Sequence, residues 1–234
     1  MKKWLPCFLI GSALAVQCAV SAESRPILES IEWTDIWVTH ANERSLPRVL
    51  LAGDSITRGY YRIVEKKLAG KAHCARFATS MFLANPDYLE TLKILLKRYD
   101  FAVIHINNGL HGRGYSEEQY AKGFPPLFKL LKTYAPRAKI IWAATTPVRE
   151  RGHAAKIDEN ATRRVRERNR IAFEFMKERG IPVDDLFSPV LDHPEYFQSD
   201  GVHYNAKGYQ VLGGQVAAAI SKALNGGGRP EARR

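Results

Sequence analysis

Cysteine is scarce in this chain of 234 residues: there are three, and Cys7 and Cys18 both fall in the N-terminal apolar segment. Cys74 alone remains beyond it, so no intrachain disulfide is available there. A lone cysteine after Lys71-Ala72-His73 reads as a buried structural residue. Past the N-terminus no apolar run is long enough to span a membrane, and no internal repeat is visible. The seven histidines include no H-x-x-x-H or H-E-x-x-H pair. His105 and His111 flank one stretch, but no third ligand can be placed beside them, so no metal and no other cofactor is expected.

Acidic residues are also in deficit, 24 against 35 Lys and Arg, for a net charge of +11. Much of the excess lies in "ATRRVRERNR", residues 161–170, whose helical spacing reads as a solvated helix face. It has no interleaved aromatics and no nucleic-acid motif, so nucleic acid is not an expected partner. Attraction to anionic polysaccharide or membrane surfaces fits the charge better.

What is present is the composition of one globular domain, 45% hydrophobic and 25% charged, with room for a sizeable core. Met1-Lys2-Lys3, a mostly apolar run to Val20 and the small-x-small Val20-Ser21-Ala22 form the pattern of a secretory signal peptide. This predicts a cleaved segment 1–22, a domain over 23–224 and a flexible tail over 225–234, in a secreted or periplasmic protein. An uncleaved membrane anchor is the competing reading. A lipoprotein signal is disfavoured by the large Gln17 before Cys18. Without Lys2 and Lys3 the net charge is +9.

Apolar runs at 48–53, 73–80, 101–107, 138–148 and 181–187 read as strands, with helices between them. The helices are closed by Gly70, Tyr99, Pro136 and Gly180, and a last one runs over 205–224. Pro125-Pro126 should break or kink the third. Residues 29–40 read as an extended segment with Trp33 and Trp37 as packing groups. The alternation predicts a parallel sheet with helices on both faces, and ligands in such folds sit beyond the carboxyl ends of the strands.

There "LLAGDSITRGYY", residues 50–61, places Asp54 and Ser55 directly after a buried strand. Asp and Ser suit a turn and a helix cap; a serine there is also a nucleophile if a base is near. "SDGVHYNAKGY", residues 199–209, supplies one. Asp200 and His203 are three apart before a helix, so the carboxylate can reach the ring and fix its tautomer.

Together "GDSIT" and "DGVHYNAKGY" resemble the first and last blocks of the SGNH hydrolases, the GDSL-like esterases and lipases, over residues 33–224. The resemblance implies a flavodoxin-like, three-layer α/β/α sandwich and metal-free serine esterase chemistry. It matches Ser55 to the nucleophile, His203 to the base and Asp200 to its orienting acid. The middle blocks depart from the family. Its Gly-x-Asn-Asp turn is replaced by "NNGLHG", residues 107–112, so the side-chain oxyanion donor is either Asn108 or His111, with Asn107 a further amide. Its second block offers a glycine N–H, whereas "RFATSMFLANP" has none, leaving the N–H of Thr79 or Ser80 beside that of Ser55 itself. Asp54 and Arg149 are candidates for contact with substrate, Arg149 toward an anion, and Tyr60 and Tyr61 toward a sugar.

The expected activity is hydrolysis of short, acetyl-type esters, with a carbohydrate or other small-molecule ester as partner. An O-acetyltransferase, a lysophospholipase or thioesterase with the same triad, and a non-catalytic carbohydrate-binding envelope protein remain alternatives.

Overall fold

The computed structural model describes Met1 and residues 26–226. Apart from Met1, the expected signal segment and all but the start of the expected tail lie outside these residues. Six strands form one sheet in the order β1-β3-β2-β4-β5-β8. They are β1 (Thr34–Val38), β2 (Arg48–Gly53), β3 (His73–Thr79), β4 (Val103–Ile106), β5 (Lys139–Ala143) and β8 (Val183–Asp184). All neighbours are parallel except β1, which pairs antiparallel with β3 at the edge. The expected α/β sandwich is therefore present, with an added antiparallel edge from the segment read as merely extended.

The strand pattern makes two cores. Side chains alternate along β2, so Val49 and Leu51 face α1 (Ser55–Lys67) and α6 (Ala206–Asn225), while Leu50 and Ala52 face the opposite layer. That layer holds α2 (Pro86–Arg98), α3 (Glu117–Tyr134) and α4 (Glu159–Lys177). Cys74 is buried in the first core, and burial pushes its thiol up to about 12, so it is no nucleophile at neutral pH. Tyr60 and Tyr61 are fully buried there as well, which removes them from any sugar site. Trp33 is half-buried, but Trp37 is exposed and lies under the Arg62 guanidinium at 5.3 Å.

The third helix is not broken at its prolines. Pro125 and Pro126 lie inside α3 on its exposed face. The carbonyls they leave unpaired, those of Ala121 and Lys122, lie on the water-facing side, where solvent can satisfy them.

A two-stranded hairpin, β6 (Arg149–Glu150) and β7 (His153–Ile157), follows β5 and has no counterpart in the sequence reading. Its residues are mostly charged or exposed, so no apolar alternation marks it. A short helix α5 (Ser188–Leu191) and a single 3₁₀ turn (Pro194–Tyr196) lead back toward α6.

Candidate active site

β2 lies between β3 and β4, where the strand order reverses, and the chain leaves it directly into α1. This is the topological switch point at which α/β sheets bind ligands. Asp54 is the cap of α1: it is buried and its Oδ1 accepts the Ile56 N–H at 2.9 Å. It is spent on the helix and does not line the cavity above it, so Asp54 is no substrate contact. Ser55 is the first residue of the helix. Its own N–H is one of the first-turn donors that no helical carbonyl reaches.

The loop before α6 brings the other end of the chain to Ser55. Gly201 has a φ of +75°, and a Cβ there would lie 2.1 Å from the Arg149 carbonyl oxygen. Only glycine lets this loop turn against the hairpin. Asp200 Oδ1 accepts the N–H of Val202 and of His203, each at 2.9 Å, which fixes the carboxylate. Its Oδ2 lies 2.6 Å from His203 Nδ1, and His203 Nε2 lies 2.8 Å from Ser55 Oγ. A carboxylate only accepts, so Nδ1 carries the hydrogen and Nε2 is left to accept from the Ser55 hydroxyl. Burial alone would raise the Asp200 carboxyl, but the His203 and Val202 hydrogen bonds together hold it below its ordinary value. Asp200 is thus an anion wherever the imidazole needs a counter-charge.

This chain of contacts opens onto a cavity of about 570 Å³. Ser55, His203 and Asp200 line one side, and Gly109, Leu110, His111 and Glu29 another. His111 Nδ1 lies 2.9 Å from Glu29 Oε2, and the Gly112 N–H donates to Glu29 Oε1 at 2.8 Å. Burial would raise Glu29, but His111, the Gly112 N–H and the Arg113 charge together hold it below the usual carboxylate range. The single N–H of a neutral His111 is therefore spent on Glu29. It can donate into the cavity through Nε2 only as the imidazolium. Glu29 was invisible in the sequence because it is 82 residues from its partner and lies in a segment with no motif.

The other oxyanion candidates point elsewhere. Asn108 donates through Nδ2 to the Met81 carbonyl and accepts the Leu83 N–H, both at 2.9 Å, so its amide braces the loop after β3. Asn107 donates to the Ala143 carbonyl at 2.7 Å and to Thr145 Oγ1 at 3.1 Å. Ser80 donates its N–H to the Trp33 carbonyl at 3.1 Å and its hydroxyl to Glu32 Oε2 at 2.6 Å. Both Ser80 groups anchor the incoming N-terminal segment. Within residues 107–112, Gly109 reaches the cavity with only backbone to offer. A Cβ on Gly109 would lie 2.3 Å from Thr145 Oγ1, so the loop there is tight against β5's exit.

Arg149 is not a substrate cation either. It is 4% exposed, donates to the Ala154 and Leu191 carbonyls, and covers the Phe197 ring at 5.0 Å. Its backbone N–H donates to Gly201 O at 2.8 Å, so the residue clamps the hairpin to the His203 loop. The carbonyls that hold the guanidinium inward come from β7 and from the last residue of α5.

The basic stretch 161–170 is only partly a solvated face. Arg163, Arg166 and Arg170 are exposed, but the 3.6-residue period turns Arg164 and Arg168 inward. Arg168 is 2% exposed and donates to the carbonyls of Gly109, His111 and Gly112 at 2.8, 2.6 and 3.0 Å. Asn169 pairs with the Thr145 backbone in both directions at 2.8 Å. α4 therefore holds the cavity's second wall in shape. Replacing Arg168 by Leu strands those three carbonyls, while Glu117 keeps its bond to Arg164. The expected loss is about 3 kcal/mol, or roughly 6–12 °C in Tm, with a fall in kcat/KM. A thermal melt within about 2 °C of the parent would show that the loop does not depend on this side chain.

The sequence matches the GDSL-like Lipase/Acylhydrolase family over residues 51–211. No curated protein matches the chain significantly. Three of the similar solved structures are low in identity but cover most of the fold. A GDSL-like lipase from Bacteroides thetaiotaomicron VPI-5482 is 20% identical, with a TM-score of 0.59 over 75% of this chain and 88% of that one. A carbohydrate esterase family 3 protein from Talaromyces cellulolyticus is 14% identical, with a TM-score of 0.61 over 78% and 100%. A member of the lipolytic protein G-D-S-L family from Veillonella parvula DSM 2008 is 16% identical, with a TM-score of 0.58 over 76% and 100%. With the family matched from β2 to the first turns of α6, the chain belongs to the GDSL-like lipases and acylhydrolases.

Proposed function

We propose that this protein is an exported serine esterase that removes short acyl groups, acetyl above all, from a carbohydrate or a similarly polar alcohol. The observation that carries the reading is the unbroken line from Asp200 through His203 to Ser55, with the Ser55 hydroxyl at the cavity wall.

Each atom then has a role. Ser55 Oγ attacks the ester carbonyl while His203 Nε2 takes its proton. The imidazolium so formed is held by Asp200. The oxyanion sits beside the N–H groups of Ser55 and Gly109, with His111 Nε2–H a further donor when its ring is charged. As the tetrahedral species collapses, the proton on His203 passes to the departing alcohol oxygen and the acyl group stays on Ser55. Water, deprotonated by the same Nε2, repeats the sequence and releases the acid.

Short acyl groups suit a cavity whose apolar lining is limited to a few aliphatic side chains such as Leu110, Val148 and Val202 among many charged ones. A carbohydrate ester is in keeping with the likeness to a carbohydrate esterase. Export rests on the signal pattern of residues 1–22.

Hydrolysis of a p-nitrophenyl ester series should be fastest at acetyl and fall with chain length. Acetate should be released from an acetylated sugar faster than it is passed to an added sugar acceptor. A rate that climbs toward long chains would replace the acetyl reading with a lipase. Predominant transfer to the acceptor would replace hydrolysis with acyl transfer.

A further inference from the structure

The opposite end of the sheet carries a second cluster of chemistry-bearing side chains. β2 and β3 start side by side, with Arg48 in register with His73. Between β1 and β2 the chain turns at His40, whose φ of +50° makes it the one non-glycine residue with positive φ among the described residues. The Glu43 N–H donates to the His40 carbonyl at 2.9 Å, which closes the turn. Arg48 grips it from behind through the carbonyls of Thr39, His40 and Glu43 at 2.7, 2.8 and 3.1 Å. The turn is thus fixed in a conformation that costs backbone strain.

Three ligand-type atoms meet there. His40 Nδ1 lies 2.8 Å from Glu43 Oε1, and His73 Nε2 lies 3.7 Å from Glu43 Oε2. The three ligand atoms lie within 4.8 Å of one another. The two rings are stacked, with centroids 4.6 Å apart and planes at 26°. The His40 and Glu43 side chains are 54% and 56% exposed while that of His73 is 7% exposed, so the cluster is open to an ion from one side.

We propose that His40, Glu43 and His73 bind a divalent transition-metal ion of the zinc type. The reasons are charge and distance. An ion pair with Glu43 needs only one imidazole, and two charged rings stacked on one carboxylate repel each other. Two neutral imidazoles and a carboxylate around a divalent ion satisfy all three groups, and this donor set suits zinc. Bonds of about 2.0–2.1 Å in a tetrahedron put ligand atoms roughly 3.3 Å apart. The two separations, which run to different Glu43 oxygens, lie on either side of that value, and the 4.8 Å bound on all three atoms leaves the side chains to draw in around the ion. Ser45 Oγ, 3.3 Å from His73 Nε2, is placed to hydrogen-bond a water in the fourth position. The nearby Arg48 charge opposes a cation, so this site is weaker than a thiolate one.

The ligands come from a turn and from a strand start thirty residues on, with no repeat spacing, which is why no motif betrays them. An ion here would tie the turn after the edge strand β1 to the first residue of β3. Ser55 follows the far end of β2, about 17 Å away at the rise of a strand. The expected effect is therefore on stability and not on turnover.

Metal-stripped protein should take up one Zn²⁺ per chain in equilibrium dialysis, and Co²⁺ should give the visible absorption of a tetrahedral site. At a hundredfold excess over the dissociation constant, Zn²⁺ should raise Tm by about 5–10 °C. His40→Ala and Glu43→Gln, both at exposed positions, should each abolish uptake and the rise while keeping esterase activity. His203→Ala should keep both, which separates this site from the catalytic histidine. Uptake unchanged in His40→Ala and Glu43→Gln, or none in the parent protein, would overturn the assignment.

Discussion

Ser55→Ala should lose ester hydrolysis by on the order of 10⁶-fold in kcat while its melting temperature stays within about 2 °C of the parent. The two halves of that expectation have separate causes. The hydroxyl is the one atom that bonds to the acyl carbon, and no neighbouring group can replace it: Asp54 is turned into the cap of α1, and Cys74 is buried with its thiol pushed up to about 12. Stability is spared because the cap comes from Asp54 and the packing from Ile56, Thr57 and Tyr60, leaving the partly exposed Ser55 hydroxyl with one bond to His203. Circular dichroism melts and p-nitrophenyl acetate kinetics on the same preparation check both. Near-parental activity with a normal melt would remove the serine mechanism.

His203→Ala should cost nearly as much, and the double variant with Ser55→Ala should be no worse than either alone, because the two act as a unit. Two histidines line the cavity, each with a carboxylate on Nδ1, so the choice between them must be argued. His203 Nε2 is 2.8 Å from Ser55 Oγ, whereas no contact joins His111 to Ser55 among the described residues. In the proposed mechanism His111 belongs to the cavity wall that faces the developing oxyanion. Its loss to alanine should cost about 10²–10³ in kcat/KM if it donates there. His111→Asn supplies an amide donor without needing a charged ring and should recover much of that. The kcat/KM values of the three variants on one acetyl ester decide the matter. An inactive His111→Asn beside an active His203→Ala would exchange the two roles.

The strands and the two ends of the catalytic line were legible because each is a local pattern. Residues 49–53 are an unbroken apolar run, and Asp200 and His203 are close enough in sequence for one turn to join them. The second wall was not legible, because its parts meet only through the fold. Glu29 reaches His111 across the edge of the sheet, and Arg168 reaches residues 109–112 from α4. In sequence Arg168 is one charge among several in a basic run. Its burial follows from the helix period together with the position of α4 against that loop, and only the first can be read from the chain. Arg149 and Asn108 failed in the same way. Both stand at strand ends, where the sequence offers substrate, but both find backbone partners nearer. The sequence marks the prolines of α3 as breakers, but the helix runs through them, because they face water and solvent can satisfy the carbonyls they leave unpaired.

Reaction with a serine-directed phosphonate ester tests the central claim most directly, because it asks which atom is the nucleophile without needing the natural substrate. Intact-mass and peptide mapping should find one adduct per chain, on Ser55. Labelling should be abolished in Ser55→Ala and strongly slowed in His203→Ala. An adduct on another residue, or labelling at the parental rate without the His203 imidazole, would contradict it.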